Sequence, residues 1–397
     1  MKRRRTYGRH RLSRDAERLT WLAQGLADSG SRLEDAWWEA ELGALIEKLL
    51  KHSDDEALNQ ALDRLHEGNT QGPTQARAYE ELADLIEAGC ELRPTDGAGK
   101  DVARLLIALP IMAWSRYVIP ARNVPSETLD ALRTQLSAHV LAAGAKVHFA
   151  DFLFSPDQLP QGYSQTRAFA VDLWQAAEQG HDMKIPADRL PESQAFISDV
   201  RYLLAAVEVP LRSPVFRWNE PDGNRETALA AWREQGGPNF QHLLAGCAYE
   251  LLLPDAYFAA WRRADQENRP FALKAAVAYL QTLFNVPATQ LRAMVAPYFD
   301  RWLEGWRVGF TLHDADQVVD GVTWPLLGQE DEGADIPGRI EAVLKEAGLM
   351  DIQTLDTRMP LEYCDDCGAP LFPNPDGENV HTEMPEDMQD APPAQLH

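Results

Sequence analysis

The sequence predicts an α+β protein: an N-terminal helical domain followed by two tandem duplicated ferredoxin-like units, the second ending in a C-terminal CxxC hairpin. Three observations carry this. The first ninety residues show helical spacing of apolar side chains behind recurrent Ser-x-x-Glu starts. Past residue 100, apolar runs of strand character alternate with amphipathic helical stretches. The two halves of that region also end alike: Pro210–Leu211, Pro214–Val215–Phe216 and Pro221–Asp222–Gly223 recur in order as Pro360–Leu361, Pro370–Leu371–Phe372 and Pro375–Asp376–Gly377. Strand, helix, strand, strand, helix, strand is the order of a split βαβ unit, and a period of this length is that of a domain.

Residues 1–14 carry one Lys, six Arg and no acid, and read as a flexible basic arm. Such an arm is a tether for RNA, DNA or lipid head groups, or simply a solvated tail. A helical domain spans 15–95. Ser13 with Glu17, Ser31 with Glu34 and Ser53 with Glu56 mark three helix starts, and Gly30 and Gly89 mark stops. Leu33, Trp37, Leu42, Leu45 and Leu49 form the predicted apolar stripe of the second helix. The first ferredoxin-like unit spans 100–224. "ARLLIALPIMAWSRYVIP" reads as one or two buried strands, "PSETLDALRTQLSAHVLAAGA" and "SQTRAFAVDLWQAAEQG" as helices, and "KVHFADFLFSP" and "SDVRYLLAAVEVPLRSPVF" as strands.

The second unit spans 225–378. "FQHLLAGCAYELLLP" reads as a strand, and the stretches from Asp255 to Phe284 and from Pro287 to Glu304 as helices. "WRVGFTLHD" and "QVVDGVTWPLL" read as strands, "IPGRIEAVLKEAGL" as a helix, and "DIQTLDTRMPLEYC" as the last strand. Residues 379–397, rich in acids and proline, read as an acidic disordered tail.

The formal net charge is −23, and because the first fourteen residues contribute +7 the remainder carries −30. A body this acidic repels polyanions. Nucleic acid and anionic membranes are therefore unexpected partners, except through the basic arm. No apolar run is long enough to cross a bilayer, and the basic start lacks the apolar stretch of a secretory signal. Four cysteines do not make a disulfide scaffold. The expectation is a reduced, cytoplasmic protein.

One stretch poses a chemical question: "EYCDDCGAPLFPNPDGE", residues 362–378. Cys364 and Cys367 have the spacing of half a zinc site, and Gly368 permits the turn that points backbone N–H groups at sulfur. His381, fourteen residues beyond Cys367 and across a Pro- and Gly-containing turn, is a reachable third ligand. His313, Asp365, Asp366 or water are candidates for a fourth. The competing reading is a reduced pair of thiols with no metal. A redox role is disfavoured, since two aspartates between the thiols raise thiol pKa and Pro370, Pro373 and Pro375 prevent a helix from following. Cys90 and Cys247 read as buried free thiols.

Nucleotide-binding glycine loops, the nucleophile-elbow serine and the His-Glu-x-x-His motif are all absent from the sequence. His148 lies near Asp151, and His313 near Asp314 and Asp316, on similar strand positions of the two halves. Histidines beside acids are common at surfaces, and a general-base role needs a pocket. Glu330, Asp331, Glu332 and Asp335 lack EF-hand spacing and read as a solvated loop.

At "SGSRLEDAWWEAEL" and at "PLEYCDDCGAPLFPNPDGENVHTEMPED" the chain resembles a betaproteobacterial family containing domain of unknown function 2863. The resemblance covers nearly the whole chain. It implies a bacterial cytoplasmic protein and brings no catalytic residues. The expected function is therefore a non-enzymatic protein that binds a small molecule or a protein partner, or regulates one, with Zn2+ at Cys364, Cys367 and His381. The alternatives are an enzyme with a pocket between the duplicated units, using His148 and His313, and an RNA-associated protein using the basic arm.

Overall fold

The computed structural model describes residues 12–68, 72–95, 102–193, 196–327, 330 and 334–383. Most of the basic arm and of the acidic tail lies outside these. The fold is mixed helix and sheet, α+β in class.

Helices α1 (Arg14–Asp28), α2 (Arg32–Lys51), α3 (Asp55–Gly68) and α4 (Pro73–Glu91) come first. Ser13 caps α1, its hydroxyl accepting from the Ala16 N–H, and Ser31 caps α2 through the Leu33 N–H. Each satisfies a donor that the first helical turn leaves unpaired. The α3 start differs from the sequence reading. Asp54 accepts from the Ala57 N–H at 3.1 Å, while Ser53 sits in the left-handed region at φ 55°. The α2 stripe is also shifted: Leu42, Leu45, Ile46, Leu49 and Leu50 are buried, whereas Leu33 and Trp37 are exposed.

The first sheet holds β1 (Leu92–Thr95), β2 (Val102–Trp114), β3 (Arg122–Asn123), β4 (Lys146–Phe154) and β5 (Ser198–Pro210), in the order β1-β2-β5-β4-β3. Helix α5 (Ser126–His139) lies between β3 and β4, and α6 (Tyr163–Glu178) between β4 and β5. Both β2 and β4 run antiparallel to β5, so they are parallel with β5 between them. After α7 (Arg225–Ala231) and a π-helical turn at Trp232–Gly236, β6 (Ala248–Leu251) and β7 (Asp255–Ala256) pair with the outer edge of β2. The interruption between them has a cause. The Pro110 carbonyl on that edge accepts from Leu252 N–H, but proline has no N–H to return.

Side-chain alternation splits this sheet into two cores. Ile107, Leu109 and Ile111 face α5, Trp232 and Phe240. Leu106, Ala108 and Met112 face α6, the four-helix bundle and the start of α8 (Tyr257–Phe284). Residues 225–256, assigned to the second unit in the sequence reading, thus pack on the first sheet. "FQHLLAGCAYELLLP" forms a strand only at β6.

The second sheet holds β8 (Leu291–Phe299), β9 (Leu303–Leu312) and β10 (Asp320–Pro325) as an antiparallel meander. Helix α9 (Ile336–Glu346) then leads to β11 (Asp351–Thr354), parallel to β8, and β12 (Met359–Pro360) continues along β8. The order β10-β9-β8-β11 differs from that of the first sheet, so the matching turn sequences do not carry a matching topology. Shared Pro and Gly turn chemistry is enough to produce them. Residues 291–299, read as helix, are strand β8. Helix α8 links the sheets: Tyr257, Phe258, Ala260 and Ala264 lie in the first core, and Leu273, Ala276, Val277 and Leu280 in the second. The far face of the second sheet carries the last pair of strands, β13 (Phe372–Pro373) and β14 (Asn379–Val380). Residues 379–383, read as the start of a disordered tail, are therefore ordered. No helix among the described residues is long and apolar enough to cross a membrane.

Candidate metal centre

The C-terminal segment is built onto the second sheet in steps. Met359 and Pro360 pair with Tyr298 and Phe299 of β8, and the Leu361 N–H donates to Phe299 O at 2.8 Å. The chain then leaves the sheet and folds back on itself. Cys364 N–H donates to Ala369 O, and Gly368 N–H to Cys364 O, each at 2.8 Å. Gly368 lies at φ 71°, where a side chain would be strained. Phe372 and Pro373 next press onto the sheet at Gly309 and Gly321, which are direct cross-strand partners on β9 and β10. A Cβ at Gly309 would strike the Pro373 carbonyl, and one at Gly321 the Phe372 ring. The paired glycines thus form the slot that seats β13.

A turn closed by Asn374, whose side-chain oxygen accepts from Glu378 N–H at 2.8 Å, sends β14 back toward the cysteines. The result gathers three donors. The sulfurs of Cys364 and Cys367 and a ring nitrogen of His381 all lie within 4.8 Å of one another. Cys367 Sγ is 3.2 Å from His381 Nε2. Tetrahedral zinc with ordinary bond lengths needs sulfur–nitrogen and sulfur–sulfur separations of roughly 3.6 and 3.8 Å. Small side-chain adjustments therefore meet the requirement. Cys364 is half-buried, and Cys367 and His381 are exposed.

The thiol electrostatics correct the sequence argument. Backbone N–H groups of Cys367 and then Asp366 donate to the Cys364 sulfur and hold its pKa below the usual thiol value. The Asp366 charge opposes this, but more weakly. Hydrogen bonds to the charged form outweigh a solvent-screened carboxylate.

The base of this turn is held by a residue the sequence reading missed. Arg307 of β9, only 3% exposed, donates through Nη1 to Glu362 O at 2.8 Å and to Leu371 O at 2.5 Å. It thereby ties the two limbs of the turn together. Its guanidinium lies over the rings of Tyr298 (4.3 Å) and Tyr363 (5.0 Å). Tyr298 in turn donates its hydroxyl to Asn379 Oδ1 at 2.5 Å, and Asn379 Nδ2 donates to Pro360 O at 3.1 Å. Asn379 stands two residues before His381, so this network orients both halves of the donor set. An arginine in the otherwise apolar stretch "WRVGF" was the available signal.

The other candidate residues lie elsewhere. His313 Nδ1 is 3.2 Å from Asp351 Oδ2, a carboxylate that also accepts from Arg292 Nε at 2.8 Å. It does not join the cysteine group. His148, on β4, is half-buried, and burial lowers its pKa against the opposing pull of Asp182. The charged neighbours that act on it, Asp182, Arg133, Glu208 and Lys146, differ from those of His313. Asp151 is buried and accepts from Ile185 N–H and Lys184 Nζ at 2.7 and 2.9 Å. In the acidic loop, Glu330 binds Arg269 and Arg339 and Asp335 caps α9. Asp331 and Glu332 lie outside the described residues. Cys90 is fully buried, and Cys247 is half-buried in the loop before β6.

Comparison with known proteins adds one finding. The model of a family described as "Protein of unknown function (DUF2863)" matches residues 4–395. No curated protein and no solved structure matches the chain.

Proposed function

The chain belongs to the DUF2863 family, and from that premise we propose that it is a non-enzymatic ligand- or partner-binding protein of the bacterial cytoplasm whose C-terminal segment is fastened by a zinc ion. Cys364, Cys367 and His381 hold the ion. The betaproteobacterial range suggested by the resemblance belongs to the same proposal. The observation that carries the reading is the convergence of two thiols and an imidazole from separate limbs of one docked segment. Soft sulfur and imidazole donors in this number select zinc over calcium or magnesium.

The metal would join the cysteine turn to β14, elements otherwise coupled through Arg307 and Asn379. Elemental analysis of untagged protein tests the reading. About one zinc per chain is expected, lost in a Cys364→Ser, Cys367→Ser variant. Metal-free wild-type protein that stays metal-free after incubation with zinc under reducing conditions would sink it.

A further inference from the structure

We propose that the ion at this site keeps one coordination position open to solvent, and that this position binds an external neutral nitrogen donor of the imidazole class. The inference rests on the metal reading above and deepens it by naming the ligand chemistry. Two observations support it. First, the cluster contains three donors among the described residues, and two of them are exposed. Of the other candidates, His313 is engaged with Asp351, and Asp365 and Asp366 are not part of the cluster. A tetrahedral ion with three protein donors retains a fourth position for water or a ligand.

Second, the local charge selects the ligand. Two thiolates and a neutral imidazole bring a divalent ion to zero net charge. Asp365 and Asp366 stand at the tip, and Asp366 acts electrostatically on Cys364. Glu362 stands at the base, its carboxylate accepting from Asn379 Nδ2 at 3.3 Å. The buried cation at the base of the turn, Arg307, is committed to two backbone carbonyls. An incoming anion therefore meets a neutral centre with aspartates beside it, whereas neutral imidazole meets no such repulsion. The ligand can be free or can be a histidine on a partner; the coordination chemistry is the same.

The test uses the full chain loaded with Co2+, whose visible ligand-field bands report its coordination. Free imidazole, at a pH where it is neutral, is titrated beside azide. A saturable change in the bands with imidazole is expected, with azide at least tenfold weaker. Bands that do not respond to imidazole, bands lost by extraction of the metal, or azide binding as tightly would each overturn the proposal. A response that appears only in His397→Gln would also overturn it, since the chain would then close its own site. Failure to form cobalt bands at all would instead indict the metal reading itself. To separate the two ligand sources, a histidine-containing peptide is compared with free imidazole. A response to imidazole supports the open position, and a peptide that binds more tightly than free imidazole assigns the ligand to a partner's histidine.

Discussion

Replacing Arg307 by Met keeps the length and apolar stem of the side chain and removes its charge and donors. Two charge-assisted bonds to backbone carbonyls are lost, each contributing about 1.5–3 kcal/mol, along with ring contacts to Tyr298 and Tyr363 contributing about 1 kcal/mol. Against this stands the desolvation of a guanidinium whose burial lowers its pKa, a cost the Met variant escapes. The balance is a loss of about 3 kcal/mol, roughly a 150-fold change in an opening equilibrium. The turn lies outside the sheet's β8-β9 pairing, so the loss should show as local opening and not as global unfolding. Hydrogen exchange of the segment 359–383 reads it directly. Protection of the Cys364 and Gly368 amides should fall on the order of a hundredfold, while β8 and β9 stay protected. Zinc affinity, measured by chelator competition, should weaken about 10–100-fold, as for other residues that orient metal ligands. Arg307→Lys should fall between, because a lysine cannot bridge both carbonyls while stacking. Unchanged exchange in the Met variant would refute the reasoning: the turn would then be held by the Gly309–Gly321 slot alone.

Two further predictions concern partly buried carboxylates. Burial by itself raises the pKa of Glu330, but hydrogen bonds from Arg269, Leu327 N–H and Arg339 outweigh it and bring the value to about 2. Arg269 is only 4% exposed, so Glu330→Gln strands a buried cation and should destabilise the protein by about 3 kcal/mol at neutral pH. The pKa is depressed on folding, so this contribution is complete above the unfolded value and is lost as pH falls toward 2. Urea titrations at pH 7 and pH 3 should show the wild-type advantage shrinking; a constant gap would contradict the assignment. Asp320 behaves in the opposite sense. Burial raises its pKa from 3.8 to about 6, with Gly321 N–H pulling the other way, and its Oδ2 has no hydrogen-bond partner. Its favourable contribution is complete below the unfolded pKa and lost as pH rises through 6. Asp320→Asn should therefore stabilise the protein by up to about 2–3 kcal/mol at pH 7 and by little at pH 4, and a gap that widens toward acid would show the sign to be wrong.

The helices were readable because their signals are local. Ser13 and Ser31 cap the helices they announce, and α8 runs through Pro270 as the apolar spacing implies. Strand β8 was not readable, because both of its faces are covered. Leu291, Ala293 and Val295 enter one core, while Ala296 and Tyr298 enter another, and a strand buried on both sides shows no alternation to detect. Sheet order was hidden for a related reason. The repeated Pro-Asp-Gly tripeptide specifies a turn, and a turn does not say which strand it delivers to which neighbour.

The metal centre divides along the same line. Its donors were legible, since Cys364, Cys367 and His381 are close in sequence and of telling types. Their support was not, because Arg307, Tyr298 and the Gly309–Gly321 slot come from strands more than forty residues away. This division has a physical consequence. His381 reaches the thiols only because β13 is seated in the slot and the Asn374 turn reverses the chain. The site is thus as well formed as the docking of its segment. Substitutions in β9 that touch no donor, at Arg307 or Gly309, should therefore register at the metal, and the metal in turn should hold β14 against the sheet. That reciprocity is what linkage requires of any ligand that binds only the docked form.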